Sequence, residues 1–592
     1  MFWCKVIHLQ QKGKNCWRLW NRQKWKKIRI YNITYFSNWQ NTKYGGTVLS
    51  ESKNQNYLHG AAILAVSVII IKILGAIYKI PLANILGSEG YGHFSVAYNI
   101  YNVLLALSTA GLPIAVARMI SEANNLGRPN QVKKIFRVAL YSFVVLGAVG
   151  SLALYIFNVD FAVILGDPKA SQSIEALAPA VILVCILSSF RGYTEGLQDM
   201  RPTAVSQVIE VAGKIAVGLT IAILLLKQGR SMPIMSAGAV TGTTAGSLLA
   251  CAYMAYIVVK RRKYEDGILR LRPNEEIDLT SEKGSRILKN FFKIGIPIAL
   301  GSCVSSIIAL INTGLILNRL QDAVGFSVTK ASELFGVYSM ALTFLNLPYA
   351  LLTPLTISVI PAIAAFRARK KFDESRNVIE SSLRVASIFA LPMAIGMSVL
   401  AAPIMTAAYG GSAEGGSLLA IMGISSFFVC IVAVTTAILQ ASGFERLPMY
   451  NMLIGGAINI VISWILLGNI QLNIYGSAIG TLISYLFMCA ANILFVVRKM
   501  PERPKLIKAF LKPGLNALVM GAASWLVYPA VLELLGAGPN PGRMMILVAL
   551  IVAIGVGVIV YGVMTVITRA ITIDDMLLLP KGEKIAKLLH IK

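Results

Sequence analysis

The sequence is short of acid. Its 592 residues hold 27 Asp and Glu against 55 Lys and Arg, and charged residues of both signs make up only 14%. A soluble domain carries roughly a quarter. Histidine is scarce as well: His8, His59, His93 and His590 are scattered without metal-ligand spacing. No two of the seven Cys form a C-x-x-C pair. Cys185, Cys251, Cys303, Cys430 and Cys489 lie in apolar runs, where a thiol behaves as a small hydrophobe. There is no Walker A loop, no H-E-x-x-H and no G-x-S-x-G. Neither an enzyme nor a cofactor or metal site is therefore expected. No apolar h-region follows the N-terminal charges, so no signal peptide is predicted.

What is present is apolar length. Hydrophobic residues make up 56% of the chain. Runs of about 20 residues, enough to cross a bilayer as helix, recur throughout. The predicted fold is all-α, a polytopic membrane protein of about 14 transmembrane helices. The predicted spans are 58–82, 92–116, 136–158, 174–193, 203–226, 235–259, 293–317, 333–361, 383–403, 417–440, 448–468, 474–497, 512–535 and 544–568.

Residues 1–57 differ from the rest. They are basic and hold Trp3, Trp17, Trp20, Trp25 and Trp39. Such a tail either binds anionic lipid or is upstream sequence translated from a start assigned too early. In the second case Val48 or Leu49 is a non-ATG start and Gly45-Gly46 translates a ribosome-binding site.

The net charge of +28 would suit nucleic acid, but its distribution points to a membrane face instead. With the N-terminus inside, the inside loops carry Arg118, Arg128, Lys133, Lys134, Arg137, Arg191, Arg201 and Lys/Arg-rich stretches at 260–293, 367–384, 498–512 and 569–592. The outside loops carry only Lys169, Lys227, Arg230, Arg319, Lys330 and Arg543. The positive-inside rule then places both termini in the cytoplasm of a multi-pass plasma-membrane protein. Nucleic acid is excluded as a partner; membrane lipids are expected. The loop 260–292 either holds a surface amphipathic helix or is a solvated linker.

The chain repeats itself. Gly238-Ala239-Val240-Thr241-Gly242-Thr243 and Gly476-Ser477-Ala478-Ile479-Gly480-Thr481 share G-x-x-x-G-T. Pro202 after Leu197-Gln198 pairs with Pro448 after Leu439-Gln440, and Pro113 before Arg118 with Pro361 before Arg367. The differences in residue number are 238, 246 and 248, in one order. Six spans separate the partners, so the copies run parallel. That is a transporter architecture with the path between the halves. The expected units are 58–259 and 293–497, six helices each, joined by 260–292, with 498–592 supplying two further helices and a tail.

Polar groups at membrane depth mark such a path. Lys72 lies mid-span among Ile70, Ile71, Ile73 and Leu74, too deep for easy snorkelling. Lys79 is nearer the outer end and either snorkels or serves the path. Arg118 and Arg191 are either positive-inside anchors or a phosphate clamp suited to the forked guanidinium. After the turn Arg191–Pro202, Glu210 and Lys214 stand at i,i+4, a spacing that makes a Glu–Lys pair natural. Glu195 joins them as a network, either functional or merely self-neutralising. Arg319 either anchors the seventh span at its outer end or receives an anion there.

Four stretches carry a resemblance: Lys72-Ile73-Leu74-Gly75 through Leu86-Gly87-Ser88-Glu89-Gly90-Tyr91-Gly92; Ser108-Thr109-Ala110-Gly111-Leu112-Pro113-Ile114-Ala115-Val116-Ala117-Arg118; Arg191-Gly192 through Gln207 and Glu210; and Leu579-Pro580-Lys581-Gly582-Glu583-Lys584. From about residue 55 onward the chain resembles the multidrug/oligosaccharidyl-lipid/polysaccharide exporter superfamily. Within it, the chain is similar to the Gram-positive branch of stage V sporulation protein B and the lipid II flippases. The resemblance implies two six-helix lobes, an extra C-terminal helix pair and a basic central cavity for a lipid-linked saccharide diphosphate. It implies a monomeric flippase for wall or spore-cortex synthesis, with the cell-wall synthesis machinery as neighbour. It also implies basic site residues on the first span, where Lys72 and Lys79 stand. The pattern departs at Asn312, ahead of Arg319-Leu320, where relatives often carry Asp. Ion coupling through that position is thereby put in doubt. A drug or organic-cation antiporter of the same superfamily, and a non-transporting scaffold, are the competing readings. The lysines favour an anionic substrate.

Overall fold

The computed structural model describes residues 49–271, 281–411, 413–501, 504, 506–538 and 541–571. The basic segment before Leu49, with the alternative start at Val48, lies outside the described residues. So do 272–280 of the linker and the Leu579-Pro580-Lys581-Gly582-Glu583-Lys584 motif.

The described elements are helices, with no strand among the described residues. In order they are α1 (Leu49–Ala106), a π turn (Leu107–Gly111), α2 (Leu112–Asn125), α3 (Pro129–Ile156), α4 (Asn158–Ile164), α5 (Ser171–Gly196), α6 (Arg201–Lys227) and α7 (Met232–Leu271). There follow α8 (Gly284–Asp322), α9 (Val328–Ala368), α10 (Phe372–Val399), α11 (Ala401–Tyr409), α12 (Ala413–Ala441), α13 (Arg446–Leu467), α14 (Tyr475–Lys499), α15 (Ile507–Leu534) and α16 (Arg543–Ile567).

Thirteen helical stretches among the described residues are long and apolar enough to cross a membrane. The first, Ile70–Asn125, is two spans. Gly87 breaks it at φ 65°, ψ −178°, a conformation open in practice only to glycine. The chain turns back there, so the count of about 14 holds. Pro129 and Pro202 sit in first turns, where their missing N–H has no intrahelical partner.

The halves repeat in structure as in sequence. α6 packs along α7 as α13 packs along α14, and α3 lies on α5 as α10 lies on α12. The short α4 and α11 occupy equivalent places, with first residues 243 positions apart. The repeated G-x-x-x-G-T serves packing in both copies. A Cβ at Gly242 would overlap the Gly218 backbone, and one at Gly480 the Ser463 hydroxyl. Of the membrane cysteines, Cys185, Cys303, Cys430 and Cys489 are buried and free.

Alternation of the spans sorts the connections onto two sides. The Lys/Arg-rich turns near 126–128, 369–371 and 500–506 share one, here termed the basic side. The turn at Gly87 and the connections 157–170, 228–231, 323–327 and 468–474 share the other, the far side.

On the far side the halves are sealed together. A Cβ at Gly92 would overlap the Ser332 carbonyl, and one at Gly336 the Ser88 carbonyl, so α1 and α9 touch backbone to backbone. Lys169 Nζ reaches both Glu89 Oε1 (3.0 Å) and Thr329 Oγ1 (2.9 Å). Gln321 donates to the Gly166 carbonyl at 2.7 Å. Arg543 donates to the carbonyls of Ala407 and Ala408 and to Asn84 Oδ1. Under this seal, His93 and Asp167 form a buried pair at 2.6 Å. A side chain at Gly336 must therefore pry the seam apart. Gly336→Leu is expected to expose a cysteine placed at Thr343, which is 6% accessible. The readout is maleimide labelling of the solubilised, otherwise cysteine-free protein. Unchanged labelling would refute the seal.

Candidate functional site

The sequence-predicted residues fall into four places. The first is the seam between α1 and α9. Lys72 Nζ donates to Thr353 Oγ1 at 2.8 Å and lies 4.2 Å from the Tyr349 ring centroid. Tyr349 and Thr353 are bracketed by Pro348 and Pro354, which interrupt the hydrogen bonding of α9. Lys72 has no carboxylate partner among the described residues.

The second place is the interior of the first half. Lys214 Nζ lies 4.0 Å from the centroid of Tyr98 and 5.3 Å from that of Tyr78. Such cation–π contacts strengthen when water is excluded. Lys79 is near enough to Lys214 for the two ammonium charges to oppose each other. Two like charges thus lie close together, the Lys214 ammonium over the rings, and neither has an ion pair among the described residues.

The expected Glu210–Lys214 pair does not form. Arg191 Nη2 holds Glu210 Oε2 at 2.8 Å while its Nε donates to Ser206 Oγ at 3.0 Å. Ser247 approaches Glu210 Oε1 at 3.4 Å. The fork of the nearly buried Arg191 spans one turn of α6 and engages the carboxylate first. Lys214, one turn further along, swings to the tyrosines instead. Glu195 is half-buried and feels the Arg191 charge. In this arrangement Arg191 is engaged by Glu210 rather than free as an anion clamp.

The third place is in the second half. Asn312 Nδ2 faces Ser477 Oγ at 3.4 Å, and its buried Oδ1 has no hydrogen-bond partner among the described residues. Around it Asn459 donates to Thr481 (3.2 Å), which lies 3.5 Å from the Tyr338 hydroxyl. These groups are neutral, and none can carry a proton on and off near neutral pH.

Two arginines stand apart. Arg118 is exposed. Arg319 donates to the Trp464 carbonyl at 3.2 Å and stacks 4.3 Å from the Trp464 ring, so it anchors α8 to α13.

Sequence reasoning missed Tyr98, Tyr349 and Thr353, the partners of the lysines. It also passed over Asn99 and Asn102, whose i,i+3 spacing in an apolar run was the available signal.

Two parallel helical halves that meet along a seam, with lysines at membrane depth, are the architecture of a multi-pass membrane transporter. The chain belongs to the polysaccharide biosynthesis protein family, whose pattern matches residues 57–367. It is 25% identical over 539 residues to the uncharacterized membrane protein YabM of Bacillus subtilis (strain 168), covering 90% of this chain and 96% of YabM. Identity to stage V sporulation protein B of the same organism is 24%, over 76% of this chain and 85% of that one. With its lipid II flippase MurJ it is 23%, over 85% and 94%. Among solved structures, lipid II flippase MurJ in an inward closed conformation shares the fold at TM-score 0.64 and 17% identity, over 86% of this chain and 98% of that one. An inward-facing multidrug resistance MATE family transporter shares it at TM-score 0.58 and 14% identity, over 77% and 98%.

Proposed function

We propose that the protein flips a lipid-linked saccharide diphosphate, lipid II foremost, from the inner to the outer leaflet by alternating access. One observation carries this reading: Lys72, Lys79 and Lys214 have no carboxylate partner among the described residues, while Glu210, one turn from Lys214, is engaged by Arg191. Unbalanced positive charge at membrane depth is costly and is relieved by an anion. A diphosphate supplies that anion. Lys72 exchanges its neutral partners Thr353 and Tyr349 for phosphate oxygens when the α1–α9 seam parts. The basic side faces the cytoplasm, and Arg118 there gives the head group its first contact. Residues 58–259 and 293–497 move as lobes within one monomer, with the last two helices riding alongside, and the wall-synthesis machinery uses the product.

Another undecaprenyl-linked polysaccharide unit offers the same diphosphate. An organic cation fits worse, because the rings that would attract it are already covered by lysines. A scaffold would have no use for the unpaired lysines.

Complementation of a strain depleted of its lipid II flippase tests the substrate. No rescue at a normal membrane level would remove lipid II. Moving one negative charge outward gains about 2.3 kcal/mol per 100 mV of inside-negative potential. Collapsing the potential at constant pH and ion gradients is therefore expected to slow transport. An unchanged rate would exclude this driving force.

A further inference from the structure

We infer that the seam between the second span and α8 holds a neutral pocket that takes the saccharide of the substrate, separate from the cations that take its diphosphate. This inference rests on the proposed function. The pocket measures about 430 Å³ and is lined by Asn99, Asn102, Thr109, Ser305 and Ser306 with a few apolar neighbours. Its size lies within the range of about 300–1,000 Å³ usual for ligand sites.

The helix itself separates the two chambers. Asn99 and Asn102 share one stripe of the second span and face α8. Tyr98 and Tyr101, each one residue earlier, are turned into the first half, where Lys214 covers Tyr98. The same two helical turns thus present neutral amides to one side and a cation-covered ring to the other.

The seam is shut above and below this opening. Towards the far side Asn99 Nδ2 donates to Thr313 Oγ1 at 2.9 Å. Towards the basic side a Cβ at Gly111 would overlap the Ala299 backbone. The π turn Leu107–Gly111, a distortion frequent at functional sites, forms that edge.

The polar groups are poorly used by the protein. Asn102 and Ser306 have no hydrogen-bond partner among the described residues. Ser305 has only the weak Met452 Sδ acceptor at 3.2 Å. A carboxamide offers two donors and two acceptor lone pairs, and leaving them idle at membrane depth is costly. Sugar hydroxyls and acetamido groups supply acceptors and donors together. A phosphate would find no cation in this lining, and an apolar chain would leave the amide unpaired.

The test measures equilibrium binding of two probes, lipid II and undecaprenyl diphosphate, to the detergent-solubilised full-length protein. The variant is Asn102→Leu combined with Ser306→Ala, which removes no hydrogen bond the fold uses. Expected is about ten-fold weaker binding of lipid II, the loss of one or two hydrogen bonds, with undecaprenyl diphosphate unaffected. Lys214→Met is expected to weaken both. Equal weakening of both probes by the Asn102/Ser306 variant, or no change in either, overturns the pocket. Wild-type protein that binds both lipids equally well also overturns it and leaves the proposed function standing. Wild-type protein that binds neither overturns both.

Discussion

Lys72→Met is expected to abolish transport while leaving the amount of protein in the membrane unchanged. The lysine donates to a threonine hydroxyl and lies on a tyrosine ring, so its removal strands no carboxylate. Thr353 keeps its own bond to the Tyr349 carbonyl at 3.1 Å, and Met fills the space with a flexible apolar chain. What is lost is a charged donor to the substrate. A hydrogen bond to a charged group contributes about 1.5–3 kcal/mol, roughly ten- to a hundred-fold in affinity. Lys72→Arg is expected to retain part of the activity, because the charge stays while the geometry changes. Membrane level and flipping in the depleted strain are scored together. Normal transport by the Met variant would dismiss Lys72 as a ligand. A fall in both level and activity would make it a structural residue.

The opposite pattern is expected at Arg191. Its pair with Glu210 is largely enclosed, with side-chain exposures of 10% and 18%. Arg191→Met leaves Glu210 without its counter-charge and Ser206 without its donor. Breaking such a pair from one side costs about 3–5 kcal/mol, a large part of a typical domain's stability of roughly 5–15 kcal/mol. Less protein is expected in the membrane, and a lower apparent melting temperature. The double variant Arg191→Met with Glu210→Leu removes both charges and should recover most of the level. A single variant with normal level and no transport would instead return Arg191 to the substrate path.

These two residues show where the sequence was legible. Lys72 stood out because one charge in an apolar run has few bland explanations, and the structure sets it against the neutral Thr353 and Tyr349. Glu210 and Lys214 misled because i,i+4 spacing reports only neighbours on one helix. Arg191, brought alongside from α5, outcompeted Lys214 for the carboxylate with two donors at fixed spacing. No local pattern could reveal that, since the partners are set by how α5 packs on α6.

By itself the sequence determined the class, the helix count and the repeat. Bilayer thickness dictates the length of each apolar run, and a duplicated unit keeps its turns and small residues in register, as Gly242 and Gly480 do. Only the tertiary structure decided which charges are neutralised and where the halves meet. His93 finds Asp167, 74 residues away, and Lys72 finds Thr353, 281 away. Asn102 is left facing a cavity that neither helix forms alone. Charge balance and enclosure are properties of surfaces brought together, and the chain order of this protein does not state which surfaces those are.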